Sequence, residues 1–330
     1  MNDQVLTPEL ISTYYREKFN IDKVLDYIGF YMFQEREFGF VGQDGFFIRN
    51  ISFPTSVDLQ EFMVKKSVPH AYIGATYAQP PSRDNPIQKI KWQFREFIFD
   101  LDIDEYDLVR ICGCSGGNYC IDCWSLIQDA AMFIDETMRE DFGFTDIRWI
   151  FSGRRGVHGW VISPLAREFD QSIRVAILDY LSFVHDIKRS QSVDDVPKEA
   201  KPLRNRIYSQ IARSYFLHTP PKHLADLGIA LPTAKRMIKQ AEYIKEFNQD
   251  SYIDVVSMLP AKDIELKKKL IDDIILRRYP RIDRKVTMDT RRVSRMPLSI
   301  HGKTGQIAIE INDLSRFYPD SAPYVWDIVK

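Results

Sequence analysis

The chain has 330 residues, with 45 Lys and Arg against 46 Asp and Glu and 45% apolar side chains. That balance excludes a disordered, collagen-like or purely coiled-coil protein, and the length suggests two domains whose cores need no disulfides. A net charge of −1 excludes a uniformly basic coat, so a surface for nucleic acid has to be local.

No apolar run approaches the ~20 residues a bilayer requires, so no membrane span is expected. The opening MNDQVLTPELISTYYREKFN lacks the apolar stretch of a secretion signal, and a cytosolic, reducing compartment is expected. Thr7-Pro8-Glu9 reads as an N-cap, a proline at N1 and an acidic first turn, predicting a helix from Pro8 to Phe19. Residues 35–53 alternate around Gly42, Asp44 and Gly45, which predicts a hairpin, and HAYIGATY (His70–Tyr77) predicts a strand. WQFREFIFDLDI (Trp92–Ile103) predicts a strand that enters a core and ends in acid. All four cysteines lie between Cys112 and Cys123. Trp124, Ile127, Ala131, Ile134 and Met138 then recur at helical spacing. Residues 146–163 read as two apolar strands around a turn rich in Gly and Arg. The next helix carries Ile173, Ala176, Ile177, Tyr180, Leu181 and Val184 on one face.

Composition changes near Lys188, where SQSVDDVPKEAKP reads as a linker. Residues 202–279 show helical patterns only, one from about Thr233 and one from about Ala261. After Pro280 strand character returns in DRKVTMD, then MPLSI, a turn HGKTG, and QIAIEI with alternating Ile307, Ile309 and Ile311. The order predicts a mixed α/β fold: a domain over 1–187, a helical insertion over 188–279 and return strands over 280–330 that complete the first core.

Three clusters carry chemistry. Residues two apart on a strand face one side, so Asp100 and Asp102 would point together, with Phe97, Phe99, Leu101 and Ile103 turned into the core. Two carboxylates about 7 Å apart at their Cα atoms repel unless solvated or neutralised. A divalent cation removes that penalty, and Mg²⁺ characteristically joins one or two carboxylates to substrate phosphates. A solvated acidic strand end is the alternative. Asp104, Glu105 and Asp107 read as solvated loop residues.

The spacing Cys112-x-Cys114-x₅-Cys120-x₂-Cys123, with Gly113, Gly116 and Gly117 between, suits four thiolates closing on one structural Zn²⁺. An iron–sulfur cluster is chemically possible, and a disulfide would need an oxidising compartment. In the third cluster, Ser152-Gly153-Arg154-Arg155-Gly156-Val157-His158, the glycines let backbone N–H groups approach an anion. Ser152 adds a hydroxyl, Arg154 and Arg155 add planar forks, and His158 begins the return strand. These parts suit a triphosphate cradle, the plainer alternative being a basic hairpin tip.

The Gly302-Lys303-Thr304 run is not a phosphate-binding Walker loop: Pro297 stands where the first glycine is needed, and no helix pattern follows. Taken alone, His301 reads as a turn or packing residue. Local charge favours Lys and Arg, eleven against five acids from Glu265 to Arg295 and seven against three from Lys188 to Arg213. Both are candidate contacts for a phosphate backbone.

FDLDID, the four-cysteine cluster, SGRRGVH and PRID…SIHGKTG occur here in the order found in archaeal and eukaryotic DNA primase small (catalytic) subunits, which the chain resembles from about Arg36 to Ile311, most of all the archaeal ones. REFGF and IGATY resemble further segments of that family. The resemblance implies a primase-polymerase core of mixed sheets flanked by helices. It implies Asp283 as a third carboxylate beside Asp100 and Asp102 for Mg²⁺ or Mn²⁺, Arg295 and His301 as further nucleotide contacts beside Ser152, Arg154, Arg155 and His158, and Arg36 close to the substrate. It implies zinc on Cys112, Cys114, Cys120 and Cys123. The activity implied is two-metal synthesis of short RNA primers from NTPs on single-stranded DNA, with a primer duplex as product and a large subunit as partner, in the cytoplasm of an archaeon beside its nucleoid. Rivals are a related polymerase for end-joining or template-free extension, and a zinc-stabilised nucleic-acid-binding subunit without chemistry.

Overall fold

A computed structural model describes residues 5–181, 211–244 and 255–329. The predicted linker and Val184 lie outside these residues. The chain divides into two compact units: residues 1–100, 144–175 and 282–330 form one, and residues 101–143 and 176–281 the other.

In the first unit, helix α1 (Pro8–Glu17) starts where Thr7 Oγ1 accepts the Leu10 N–H, and α2 (Ile21–Ile28) starts on the Asn20 side chain. The hairpin forms as β1 (Arg36–Val41) and β2 (Phe47–Ile51). After α3 (Ser56–Lys66), capped reciprocally by Thr55 and Asp58, comes β3 (His70–Tyr77), antiparallel to β1. The run Trp92–Ile103 divides into two strands, β4 (Trp92–Phe94) and β5 (Phe97–Asp102), which belong to different sheets. The first sheet runs β2-β1-β3-β4, and β8 (Ser294–Arg295) also pairs with β3. The second runs β5-β7-β6, with β6 (Ile147–Phe151) and β7 (Gly156–Val161) flanking the Ser152–His158 turn.

One apolar core collects Ile11, Tyr15, Phe38, Leu59 and Ile73 together with Ile300, Ile307 and Val325. The end of the chain is therefore packed against its beginning, and hydrogen bonds add to this: Tyr14 donates to the Leu298 carbonyl, and Tyr15 Oη accepts the Ile300 N–H. The segment QIAIEI enters the second sheet at its edge through a bridge between Ile150 and Glu310.

DRKVTMD is not a strand. It is a short helix, α11 (Arg284–Met288), because Asp283 Oδ1 accepts the N–H groups of Lys285 and Val286 and turns the chain. Between, in the first unit, lies α5 (Pro164–Arg167), and α6 (Gln171–Leu181) runs out of it.

The second unit includes the cysteine segment and α4 (Ile121–Glu140), together with helices α7 (Ala212–His218), α8 (Pro221–Asp226), α9 (Leu231–Tyr243) and α10 (Ile264–Arg278). Tyr215, Phe216, Leu224, Met237, Leu270 and Ile274 form its separate apolar core. Within this unit Arg278 ties α10 to α4 through Asp129 at 2.8 Å and Ser125 at 2.6 Å, and Arg277 donates to the Val109 carbonyl at 2.6 Å.

Arg36 departs from expectation. Its guanidinium is fully buried and forms a fork on Glu96, Nη1 to Oε2 at 2.8 Å and Nη2 to Oε1 at 2.9 Å, while Nη1 also donates to the Gly74 carbonyl. Burial alone would raise the Glu96 carboxyl, and Arg36, with Arg167 beside it, overrides burial and holds the group below the usual range. Its fork is committed to a dry carboxylate, so Arg36 braces β1 against the β4–β5 junction. Removing one partner leaves a buried charge uncompensated, so Arg36→Ala should cost about 3–5 kcal/mol of stability, read as a lowered melting temperature. Adding Glu96→Gln to that variant should recover part of the loss.

Candidate active site

Strand β5 carries Asp100 and Asp102 two residues apart, with Phe97, Phe99 and Leu101 buried. Asp283, far along the chain, comes to this strand: its backbone N–H donates to the Asp100 carbonyl at 2.9 Å. The helix cap uses only Oδ1 of Asp283, so Oδ2 stays outside the cap. Across the second sheet, His158 Nε2 on β7 lies 3.5 Å from Asp100 Oδ1. The first unit thus joins Asp100, Asp283 and the end of the Ser152–His158 turn.

The turn is held tightly. Ser152 N–H donates to the Gly156 carbonyl at 2.9 Å, and the Gly156 N–H donates to Ser152 Oγ at 3.3 Å, leaving the serine proton available to donate elsewhere. Gly153 sits at φ +87°, and a Cβ there would fall 2.7 Å from His301 Cβ, so only glycine allows the approach. Thr304 Oγ1 donates to the Gly153 carbonyl at 2.6 Å, which pins HGKTG against SGRRG. The glycine-lysine-threonine run is thus the partner of the cationic turn.

Arg295 is 8% exposed and has no carboxylate partner among the described residues. Nη1 lies 2.9 Å from His70 Nδ1, Nη2 donates to Tyr72 Oη at 3.4 Å, and the guanidinium carbon stands 4.7 Å from the centre of the Tyr72 ring. His70 and His301 meet edge to face at 5.0 Å between ring centres. Burial lowers the His301 pKa to about 2, with the positive charges of Arg295 and Arg154 adding to the effect. Burial, then Arg295 and Lys303, lowers His70 to about 4. Both rings are therefore neutral near pH 7. Because Arg295 donates to His70 Nδ1, its proton sits on Nε2. The Lys303 N–H points at His301 Nδ1 from 3.4 Å, which likewise leaves the proton on Nε2.

A buried guanidinium without an anion is costly, and here it lies beside two imidazoles that burial, together with its charge, keeps uncharged. This cationic cluster can take a polyanion. Sequence reasoning missed His70 and Tyr72, since HAYIGATY reads as a core strand. The available signal was a polar pair two residues apart on one face of an otherwise apolar run.

In the second unit, the four cysteine sulfurs all lie within 4.8 Å of one another, and Cys120 and Cys123 are 3.8 Å apart. A tetrahedral ion with bonds of about 2.3 Å needs sulfurs about 3.8 Å apart, so the four could hold a structural metal. Gly113 and Gly116 take positive φ between them. Asp107 is not merely solvated: it accepts the Gly116 N–H and pairs with Arg110, whose Nη1 donates to the Asn118 carbonyl at 2.7 Å. Among the described residues no helix is long and apolar enough to cross a membrane.

Residues 99–313 match the DNA primase small subunit family, and the chain belongs to it. It is 27% identical to the DNA primase small subunit of Drosophila melanogaster, over 90% of this chain and 74% of that one. It is 28% identical to DNA primase small subunit PriS of Methanothermobacter thermautotrophicus, over 95% and 94% of the two chains. PriS of Thermococcus sibiricus is 29% identical, over 96% and 92%.

The depressed histidines give stability a pH dependence. An unfolded histidine takes its proton near 6.5, whereas His70 resists until about 4 and His301 until about 2. Between these values the unfolded state binds more protons, so acidification below 6.5 should destabilise the fold. The drop in melting temperature from pH 7 to pH 5 should be smaller in His301→Gln than in the unaltered chain.

Proposed function

We propose that this chain is the catalytic subunit of a DNA primase that joins NTPs into short RNA primers on single-stranded DNA. The hydrogen bond from Asp283 to the Asp100 carbonyl supports the reading most, because it brings a third carboxylate to the strand that bears the other two. Asp100, Asp102 and Asp283 would hold divalent Mg²⁺ or Mn²⁺. Bound there, the ions would supply Lewis acidity to the attacking 3′-hydroxyl and to the departing pyrophosphate.

The chain's own residues bind and orient the nucleotide. Ser152 donates its hydroxyl to a phosphate oxygen, and Arg154 and Arg155 offer forks that match such oxygens in pairs. Arg295 supplies a charge already free of water, and neutral His301 donates from Nε2. His158 lies between the turn and Asp100, so it orients the triphosphate relative to the carboxylates. Ser152, Arg295 and His301 are held in place before the nucleotide arrives, so little reorganisation opposes charge transfer to the leaving group.

The thiol cluster takes Zn²⁺ as a structural ion, since four sulfurs leave no open position. Template, primer duplex and a large subunit complete the working assembly. Purified protein should carry one zinc per chain by metal analysis, and Cys123→Ser should lose it and melt at lower temperature.

Labelled NTP on an unprimed circular single strand, with Mg²⁺ or Mn²⁺, tests the activity. New products are expected from the unaltered chain and none from Asp102→Ala, while Arg155→Ala should be slower by about 10²-fold. Extension only from an added primer would point to an end-joining or template-free polymerase. DNA binding without incorporation would contradict catalysis altogether.

A further inference from the structure

Two arginines of the first unit lie in its interior with their forks committed to carbonyl and hydroxyl oxygens. Arg95, 1% exposed at the β4–β5 junction, donates from Nη1 to the carbonyls of Val286 at 3.1 Å and Asp289 at 2.9 Å, and from Nη2 to Ser294 Oγ at 2.7 Å. The first two carbonyls lie at the C-terminal end of α11, the helix that Asp283 caps. Ser294 is the residue before Arg295. Arg174 is fully buried behind Arg95 and supports it, donating to the Arg95 carbonyl at 2.6 Å, the Glu96 carbonyl at 3.2 Å and the Phe169 carbonyl at 2.8 Å.

Arg95 therefore stands on the chain that leads into Asp100, and its side chain grips the segment from Asp283 to Arg295 near both ends. Most of a buried guanidinium's cost is offset where its fork finds oxygens, and three oxygens here belong to that one segment. Only Arg has the reach and the planar spread to satisfy them together.

We propose that Arg95, backed by Arg174, is a positioning residue that sets Asp283 against Asp100 through α11 and sets Arg295 through Ser294. One arm of the fork governs where the carboxylates meet a cation, and the other governs where the arginine meets a triphosphate. The proposal rests on the reading of Asp283 as a cation ligand and of Arg295 as a triphosphate contact.

Binding of Mn²⁺ in the absence of substrate, followed by the paramagnetic resonance of the free ion, tests the first arm. Mant-ATP fluorescence tests the second. Arg95→Lys keeps the charge but cannot span the three oxygens, and it should retain cooperative melting while binding Mn²⁺ about tenfold more weakly, as for other residues that orient metal ligands. Ser294→Ala, a milder change, should weaken mant-ATP at least threefold and leave Mn²⁺ binding unaltered. Asp283→Asn is the control on the underlying reading. If it leaves Mn²⁺ binding unchanged, Asp283 is no ligand and the metal arm of the proposal falls with that reading. If Asp283→Asn weakens Mn²⁺ while a folded Arg95→Lys binds it normally, the positioning role itself is overturned. Should Arg95→Lys fail to fold, Ser294→Ala decides: weaker mant-ATP with normal melting supports the clamp, and unchanged affinity overturns it.

Discussion

A single backbone hydrogen bond, from the Asp283 N–H to the Asp100 carbonyl, is the constraint on which the candidate site depends. It lies between segments separated by most of the chain, and closing so long a loop costs entropy that one hydrogen bond does not offset. The shared core does so instead. Ile300, Ile307 and Val325 pack with Ile11, Phe38 and Ile73, and the edge bridge to Ile150 holds the return segment beside the second sheet. The helix cap then aims Asp283: one of its oxygens turns the chain into α11 and the other is left outside the cap. Apolar packing thus positions carboxylates that would repel one another in isolation.

The first unit settles its arginines in different ways. Arg36 faces Glu96 and Arg49 faces Glu37, so their charges are compensated inside the protein. Arg174 spreads its fork over carbonyls, and Arg95 spreads its own over two carbonyls and a serine hydroxyl. Arg295 has neither solution; its neighbours are a tyrosine ring and a histidine. A fold tolerates such a group only by accepting a stability cost, and an incoming anion removes it. Burial, reinforced by the charge of Arg295, keeps His70 and His301 neutral, each keeping a proton on Nε2 to donate and no charge to desolvate.

Much of this was legible in the sequence because its signals are local. Alternation marked the hairpin and the β6–β7 pair, and glycines marked the turn between them. Residues two apart marked Asp100 and Asp102. The crowded cysteines announced a cluster whose sulfurs do gather. What escaped was decided by distant partners. Arg36 could not be assigned without Glu96, its partner 60 residues away in sequence. DRKVTMD carries β-branched residues and reads as a strand, but a side-chain cap outweighs that weak preference. His70 and Tyr72 have no motif of their own, and their part emerges only when Arg295 is laid over them. Asp107, one of five acids between Asp100 and Arg110, is singled out only by the Gly116 N–H and the Arg110 guanidinium that it accepts.

In the proposed site Asp100 and Asp283 share a cation while the turn from Ser152 to His158 and Arg295 share a triphosphate. Crystals soaked with Mn²⁺ and a non-hydrolysable NTP, measured at the manganese absorption edge, test it most directly. The expected result is an anomalous peak bound by both carboxylates, with the phosphates lying along the turn and against Arg295. A peak away from Asp283, or a triphosphate that leaves Arg295 untouched, would contradict it.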